Sequence, residues 1–161
     1  MKWSEIASQH CSIARALSVV GDSWTMLIVR ELFSGNRRFS GLLTETGAPP
    51  ATLTERLGAL ERAGVVDKQP YSTRPDRFEY RLTAKGRELY PILVSLMGWG
   101  DRWMAADGEA PPVRLVHRSC GQPTTPTLTC SACGEVIDPR AMTKITAAGP
   151  DDDSHDGHVL R

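Results

Sequence analysis

Apolar residues in the first two thirds of the chain recur at a spacing of three or four, which is the period of helices that bury one face. This spacing predicts a first helix over Cys11–Val20, ended by Gly21, and a second helix with Asp22 or Ser23 as its N-cap. The second helix is apolar nearly all round until Gly35. We therefore expect it at the centre of the core.

Two further helices follow. A short helix is expected after the turn Arg37-Arg38, with Ser40 as its cap and Gly47 at its end. The segment from Pro50 to Ala63 predicts the next helix, because proline is tolerated in a first turn and Gly64 follows as a stop signal. Its inward stripe consists of Leu53, Leu57 and Leu60. The opposite face of this helix is small and polar.

A pair of β-rich runs, VVDKQPY and RFEYRL, comes next, and STRPD separates them. This pattern predicts a hairpin with arginines at or beside its tip. The apolar stripe of TAKGRELYPILVSLMGWGDRWMAAD predicts a long last helix, with Thr83 as N-cap and with Pro91, Gly98 and Gly100 as candidate bends. The order of elements is that of a winged helix-turn-helix, so the fold class is mainly α (α+β).

The Pro50–Ala63 helix and the hairpin together favour a nucleic-acid reader. A helix with a small polar face fits the major groove, and arginines on a hairpin reach phosphates or the minor groove. Two other interpretations stay open, since such a helix can simply face solvent and winged helices also serve as protein–protein modules. A protein-interaction module without direct DNA binding is therefore the alternative function.

Composition changes this picture little. The 161 residues have a formal net charge of zero, but residues 1–106 hold 14 Lys and Arg against 11 Asp and Glu, whereas residues 107–161 hold 5 against 8. Such a small basic surplus is weak evidence for a polyanionic partner. No apolar run approaches the roughly 18 residues of a membrane span, and the first residues do not resemble a signal peptide. We expect a cytoplasmic protein.

Beyond the linker DGEAPPV, the pattern H-x-x-C-G followed by C-x-x-C-G is typical of a tetrahedral zinc site. Two residues between ligands let one turn present both, and the glycines allow a positive φ. A hairpin in QPTTPTLT is predicted to join the halves. Four protein ligands close the site, so we expect structural zinc and no enzyme activity. The predicted zinc ligands are His117, Cys120, Cys130 and Cys133.

Three alternatives to this ligand set stay open. His155 or His158 could replace His117 as the fourth ligand. Cys130 and Cys133 could instead form a C-x-x-C redox pair, or the cysteines could remain thiols without a metal. The redox pair lacks the βαβ context in which it usually occurs, and plain thiols do not explain two Cys-Gly turns.

Several blocks follow one another in order: Cys11 at the start of the first helix, GDSWTMLIVRELFSGNRRFSGL, TLTERLGALERAGVV and YSTRPDRFEYRLTAKGREL. Together they resemble the HxlR family of bacterial winged-helix regulators, a branch close to MarR-type proteins. The resemblance implies a transcriptional regulator, expected to be a repressor, whose homodimer is formed by the first and last helices and binds a pseudo-palindromic DNA operator. The sequence Pro49-Pro50-Ala51 departs from the serine cap that is common in the family.

The resemblance also implies which residues contact DNA. The Pro50–Ala63 helix becomes the recognition helix and the hairpin becomes the wing. For Arg56, an ion pair with Glu31 or Glu61 is the alternative. Arg77 could instead be an exposed residue of an edge strand that makes no DNA contact, and Arg37 and Arg38 could lie in a turn that contacts only solvent. The implied DNA contacts are Arg37, Arg38, Thr52, Thr54, Arg56, Arg74 and Arg77.

Two kinds of inducing signal are compatible with the sequence. In the family, a cysteine at the start of the first helix serves some members as an oxidant or electrophile sensor, and the positive end of a helix stabilises a thiolate. Cys11 is therefore the candidate redox sensor. Alternatively, a small molecule could bind beside the dimer helices, although the residues concerned are more often core. The candidate pocket residues are Trp24, Met97, Trp99 and Trp103.

These inferences divide the chain into four segments. We predict a DNA-binding and dimerisation domain at residues 1–106 and a linker at residues 107–112. A small β-rich, zinc-ribbon-like extension is predicted at residues 113–139, and an acidic, mobile tail at residues 140–161.

Overall fold

The computed structural model describes residues 11–73, 76–106, 108–143 and 145. The chain divides into two compact units, Met1–Met104 and Ala105–Arg161. The first unit contains α1 (Ser12–Val20), α2 (Thr25–Ser34), α3 (Phe39–Thr46), α4 (Pro50–Arg62), β1 (Val66–Thr73), β2 (Asp76–Leu82), α5 (Ala84–Arg87) and α6 (Tyr90–Trp103). The second unit contains β3 (Leu115–His117), β4 (Gln122–Thr124) and a 3-10 turn at Pro139–Ala141. The order of elements in the first unit confirms the winged helix-turn-helix.

The core of the first unit is built around α2, as the sequence predicts. Ile28 and Val29 of α2 are completely buried, and Leu42 of α3 packs into the same cluster. Burying one such side chain contributes about 1.5–3 kcal/mol relative to leaving it exposed. The predicted inward stripe of α4 is confirmed, because at most 1% of each of its leucines is exposed: Leu53, Leu57 and Leu60. This burial fixes which face of α4 is turned outward.

No single described helix is long and apolar enough to cross a bilayer. The helices α1 and α2 satisfy the length and composition requirements only as a pair, and that pair is bent by 73°. The apolar character of α2 has another explanation, because this helix is the centre of the core.

Two predicted helix starts are wrong by one or two residues. The helix α2 begins at Thr25, and the Asp22 carboxylate accepts a hydrogen bond from the Trp24 N–H at 2.9 Å, so Asp22 caps a turn that precedes the helix. The helix α3 begins at Phe39, which leaves the expected cap Ser40 inside its first turn. Arg38 keeps an extended backbone because it pairs with β2, so α3 starts directly after it.

The predicted long last helix is two helices. Thr83 does cap the first of them, since its hydroxyl accepts a hydrogen bond from the Gly86 N–H at 3.0 Å, but α5 ends after one turn at Arg87. Pro91 lies in the first turn of α6. It has no N–H to donate to the Arg87 carbonyl, and its ring would clash there, so the chain restarts the helix at Tyr90. The glycines at positions 98 and 100 do not interrupt α6.

Backbone contacts hold the end of α4 against the start of α5. A Cβ atom at Gly86 would overlap the Val65 carbonyl oxygen, so only glycine fits there. The Thr83 hydroxyl donates to the Gly64 carbonyl at 2.7 Å, and the Thr83 N–H donates to the Val65 carbonyl at 3.1 Å. The ammonium of Lys85 donates to the Ala63 carbonyl at 2.8 Å. We call these contacts between residues 63–65 and 83–86 the backbone clamp.

We predict that Gly86→Ala lowers the free energy of unfolding by about 1–3 kcal/mol, because the added methyl group forces the two segments of the clamp apart. Urea unfolding followed by circular dichroism measures this change. The matched control is Gly41→Ala, where the new Cβ would lie 3.4 Å from the Asn36 Oδ1, an ordinary contact. This control should gain about 0.5–1 kcal/mol, since alanine favours helix over glycine. Equal effects of the two substitutions would contradict the role of the clamp.

Candidate nucleic-acid interface

The turn Arg37-Arg38 is fixed to the wing hairpin by its backbone. The Tyr80 N–H donates to the Arg37 carbonyl at 2.8 Å, and Arg38 forms an antiparallel bridge with Glu79. The strands β1 and β2 pair antiparallel from Val66 and Leu82 toward the tip. The turn therefore joins the edge of β2 through a single β-bridge, and both arginine side chains are exposed.

A buried carboxylate anchors the residues that lead into this turn. Only 7% of Glu31 is exposed. Its Oε1 accepts a hydrogen bond from Arg30 Nε at 2.8 Å, and its Oε2 accepts one from Asn36 Nδ2 at 2.6 Å. Because a buried carboxylate is costly unless its oxygens are paired, these bonds hold Asn36 in place next to Arg37.

A basic and aromatic cleft with a volume of about 540 Å³ lies between the start of α3 and the hairpin. The Arg38 guanidinium carbon lies 4.6 Å from the centroid of the Tyr71 ring, and Lys68 Nζ lies 4.2 Å from the centroid of the Phe78 ring. Such cation–π contacts hold the basic groups over the ring faces. The cleft is lined by Arg38, Phe39, Ser40, Lys68, Tyr71, Arg77, Phe78 and Tyr80.

Sequence reasoning missed Lys68 and Tyr71 as members of this surface, because its candidate contacts lie only in the turn, on the Pro50–Ala63 helix and near the hairpin tip. Lys68 lies opposite Tyr80 in the β1–β2 register, which the sequence alone does not give. Burial, together with the nearby Glu61 carboxylate, raises the pKa of the Tyr80 phenol. The phenol is therefore neutral at physiological pH, and the charge in the cleft comes from its Lys and Arg side chains.

The predicted contacts on α4 have different surroundings. Thr54 is exposed, but its hydroxyl donates to the Pro50 carbonyl at 2.9 Å, while Thr52 is half-buried. No side chain caps α4, as the Pro49-Pro50-Ala51 sequence predicts. Pro50 and Ala51 are exposed at the start of the helix, so its positive end is open to solvent.

Arg56 takes part in an ion pair inside the first unit. Its Nη2 lies 3.2 Å from an Asp22 carboxylate oxygen and 3.6 Å from a Glu55 carboxylate oxygen, and 28% of its side chain is exposed. Arg56 therefore forms an ion pair, as the alternative prediction proposed. The predicted partners Glu31 and Glu61 are wrong, because the carboxylates belong to Asp22 and Glu55. The pair ties α4 to the turn between α1 and α2. Arg77 is exposed, and Arg74 lies outside the described residues.

The predicted zinc ligands lie in two turns of the second unit, and QPTTPTLT does not form the hairpin expected between them. Instead, its first residues, Gln122–Thr124, form β4 and pair with the preceding strand β3. Its residue Thr129 forms a bridge with Val136, on the other side of the second turn. Each half of the motif therefore lies at the tip of its own hairpin. Across the part of the chain that the structure describes, no three His, Cys, Asp or Glu side chains gather as a metal site. His155 and His158 lie outside it.

Hydrogen bonds polarise one of these cysteines. The backbone N–H of Cys133 is the largest influence on the Cys130 sulfur, followed by the backbone N–H of Ala132 and the Cys133 thiol. Together they hold the pKa of the Cys130 thiol below its usual value, against a smaller effect of desolvation.

The candidate sensor and pocket residues lie in three environments. Cys11 is exposed at the N-cap of α1. Trp24 packs against the core and Met97 is half-buried, whereas 57% of Trp99 and 64% of Trp103 are exposed on α6. The tryptophans are therefore divided between the core and an exposed helix face.

Comparison with known proteins identifies the family. The model of the HxlR-like helix-turn-helix family matches residues 19–108, which is more than half of the chain. An uncharacterised HTH-type transcriptional regulator of Mycobacterium tuberculosis is 47% identical over 132 residues, and the match covers 82% of this chain and 83% of that relative.

Solved structures agree with this assignment. The proposed transcription factor PA1607 has a TM-score of 0.78 at 35% identity, covering 89% of this chain and 99% of that one. The redox regulator HypR in its oxidised form has a TM-score of 0.56 at 29% identity, covering 60% of this chain and 100% of that one. The chain therefore belongs to the HxlR-like helix-turn-helix family and is a transcriptional regulator, not an enzyme.

Proposed function

We propose that this chain is a cytoplasmic, homodimeric repressor that binds a pseudo-palindromic operator and is released by a redox or small-molecule signal. One observation carries the DNA-binding part of the proposal. The exposed cations Arg37, Arg38, Lys68 and Arg77 cluster on the turn and hairpin that flank the recognition helix α4. Phosphate contacts of this kind position a protein on the duplex, while a helix in the major groove reads bases.

The exposed apolar faces of α1 and α6 support the dimer. On α1, 70% of Ile13 is exposed although its neighbour Ala14 is buried. On α6, Val94 is buried against the unit, whereas a row of apolar side chains on another face is largely exposed: Ile92, Leu96, Trp99 and Trp103. A row of this size on a globular unit is typical of an interface. A two-fold dimer would present two recognition helices to half-sites about one helical turn of DNA apart.

We predict that replacing Arg38 and Arg77 together by alanine weakens binding to duplex DNA from upstream of the chain's own gene. If each arginine contacts a phosphate in both subunits of the dimer, four contacts are lost, and the magnitude of the slope of log K against log salt concentration falls by about four. Fluorescence anisotropy titrations over a range of salt concentrations measure that slope.

The control for this double variant is Arg87→Ala, which removes an exposed arginine that donates to the Leu82 carbonyl outside the basic cleft. It should leave the slope unchanged. If the unaltered chain binds no such fragment, or if the double variant and the control have the same slope, the DNA-binding interface is wrong and a protein-interaction module becomes the better account.

We predict that Leu96→Glu combined with Trp99→Glu converts the dimer to a monomer, because two carboxylates in each subunit would have to be buried in the interface. Light scattering coupled to size-exclusion chromatography gives the mass in solution. The control Thr44→Glu adds one carboxylate in each subunit at an exposed position of α3 and should remain dimeric. A monomeric unaltered chain, or a dimeric double variant, would rule out α6 as the interface.

Of the two candidate signals, oxidation and a small molecule, oxidation can be assigned to a single residue, Cys11. The position of Cys11 at the N-cap of α1 favours a thiolate, which peroxide oxidises to a sulfenic acid. The same helix carries Ile13 and Leu17 on the proposed dimer face, so an altered side chain at its start would disturb the dimer. The structural similarity to HypR, a redox regulator, agrees with this proposal.

We expect Cys11→Ser to bind DNA as the unaltered chain does but to remain bound after treatment with peroxide. Anisotropy measured before and after the oxidant tests this expectation. Normal release of the Cys11→Ser variant would exclude Cys11 and leave the small-molecule signal as the alternative.

A further inference from the structure

The described residues of the second unit form ordered turns but no apolar core. Among its described residues, only Leu115 and Cys130 are even half-buried, and every other one is exposed. The exposed fraction is 63% for Leu128 and 66% for Val136. Two strands of three residues and one isolated bridge are too little to stabilise a fold by themselves. Units of this size without a core usually depend on a metal or on disulfides.

The first turn of this unit brings an imidazole and a thiol together. His117 ends β3, and its carbonyl accepts hydrogen bonds from the Gly121 N–H at 2.8 Å and the Cys120 N–H at 3.3 Å. Gly121 has a φ of +68°, which reverses the chain into β4. His117 Nδ1 lies 3.4 Å from the Cys120 Sγ. Two ligands of one tetrahedral Zn²⁺ are about 3.6 Å apart when the metal–ligand distances are those of nitrogen and sulfur.

The second turn has the same construction. The Cys130 carbonyl accepts the Gly134 N–H at 2.8 Å, and the Cys130 N–H donates to the Glu135 carbonyl at 2.7 Å. Gly134 has a φ of +77°. Two turns of matching geometry, each with a pair of metal-ligating side chains, are thus built into one short coreless unit.

We propose that His117, Cys120, Cys130 and Cys133 bind one structural Zn²⁺ ion, each turn supplying two ligands. Binding displaces the thiol protons and draws the two turns onto the ion, since no three metal-ligating side chains gather among the described residues. The metal takes the place of the missing core. All four positions of the tetrahedron are then filled by the protein, so the ion has no open position for chemistry.

The test uses the full chain, purified under reducing conditions without chelator and analysed for metals by mass spectrometry. We expect one zinc ion per chain. Cys130→Ser and Cys133→Ser should lose the metal, whereas Cys11→Ser, the same substitution at the thiol outside this unit, should retain it. A zinc content well below one per chain after incubation with Zn²⁺, or equal content in Cys130→Ser and Cys11→Ser, would overturn the proposal.

Replacement of zinc by Co²⁺ in the unaltered chain provides a spectrum that does not depend on whether a variant folds. The unaltered chain should show the strong visible bands of tetrahedral Co²⁺ together with thiolate charge-transfer absorption. His117→Ala should change the visible bands, and the double variant His155→Ala with His158→Ala should not. Octahedral Co²⁺ spectra, a Cys130–Cys133 disulfide in the purified chain, or a change only in the double variant would contradict the proposed ligand set.

Discussion

The first unit depends on the close approach of Gly86 to the Val65 carbonyl oxygen. This contact brings the end of α4 against the start of α5, and Thr83 adds hydrogen bonds to the carbonyls of Gly64 and Val65. The hairpin leaves and re-enters the unit between these two segments. The buried leucines of α4 set the rotation of this helix about its axis, and the backbone clamp sets its position relative to the β1–β2 hairpin. Without both constraints, α4 and the hairpin would not keep a fixed relative position.

Local placement of charge matters more for this surface than total charge, since the chain has a formal net charge of zero. The turn Arg37-Arg38 is held to β2 by its backbone, and Glu31 fixes the residue before it through Asn36. Aromatic rings lie under the Arg38 and Lys68 side chains. Long basic side chains lose conformational freedom when they bind, and contacts that restrict them beforehand reduce that cost. The Arg38 and Lys68 side chains are thus partly ordered before an anionic partner binds.

The sequence predicts well those features that depend on neighbouring residues. The order of elements and the limits of α4 follow from periodicity, proline and glycine, and Gly47 and Gly64 have the positive φ of helix-ending glycines. Features that depend on distant pairing were not predictable. The partner of Arg56 is Asp22, which precedes it by a long stretch of chain, and Lys68 joins the cleft only through the strand register. The two short hairpins of the second unit likewise reflect pairing across each turn.

The central claim is that the outward face of α4 and the adjacent cations form the surface that contacts DNA. Photo-crosslinking tests it most directly, with benzoylphenylalanine placed either at Ala51, exposed at the start of α4, or at Ala16, exposed on α1. The account predicts that duplex DNA from upstream of the gene is crosslinked from position 51 and not from position 16. Crosslinking from Ala16 alone, or from neither position under conditions in which the unaltered chain binds the duplex, would contradict it.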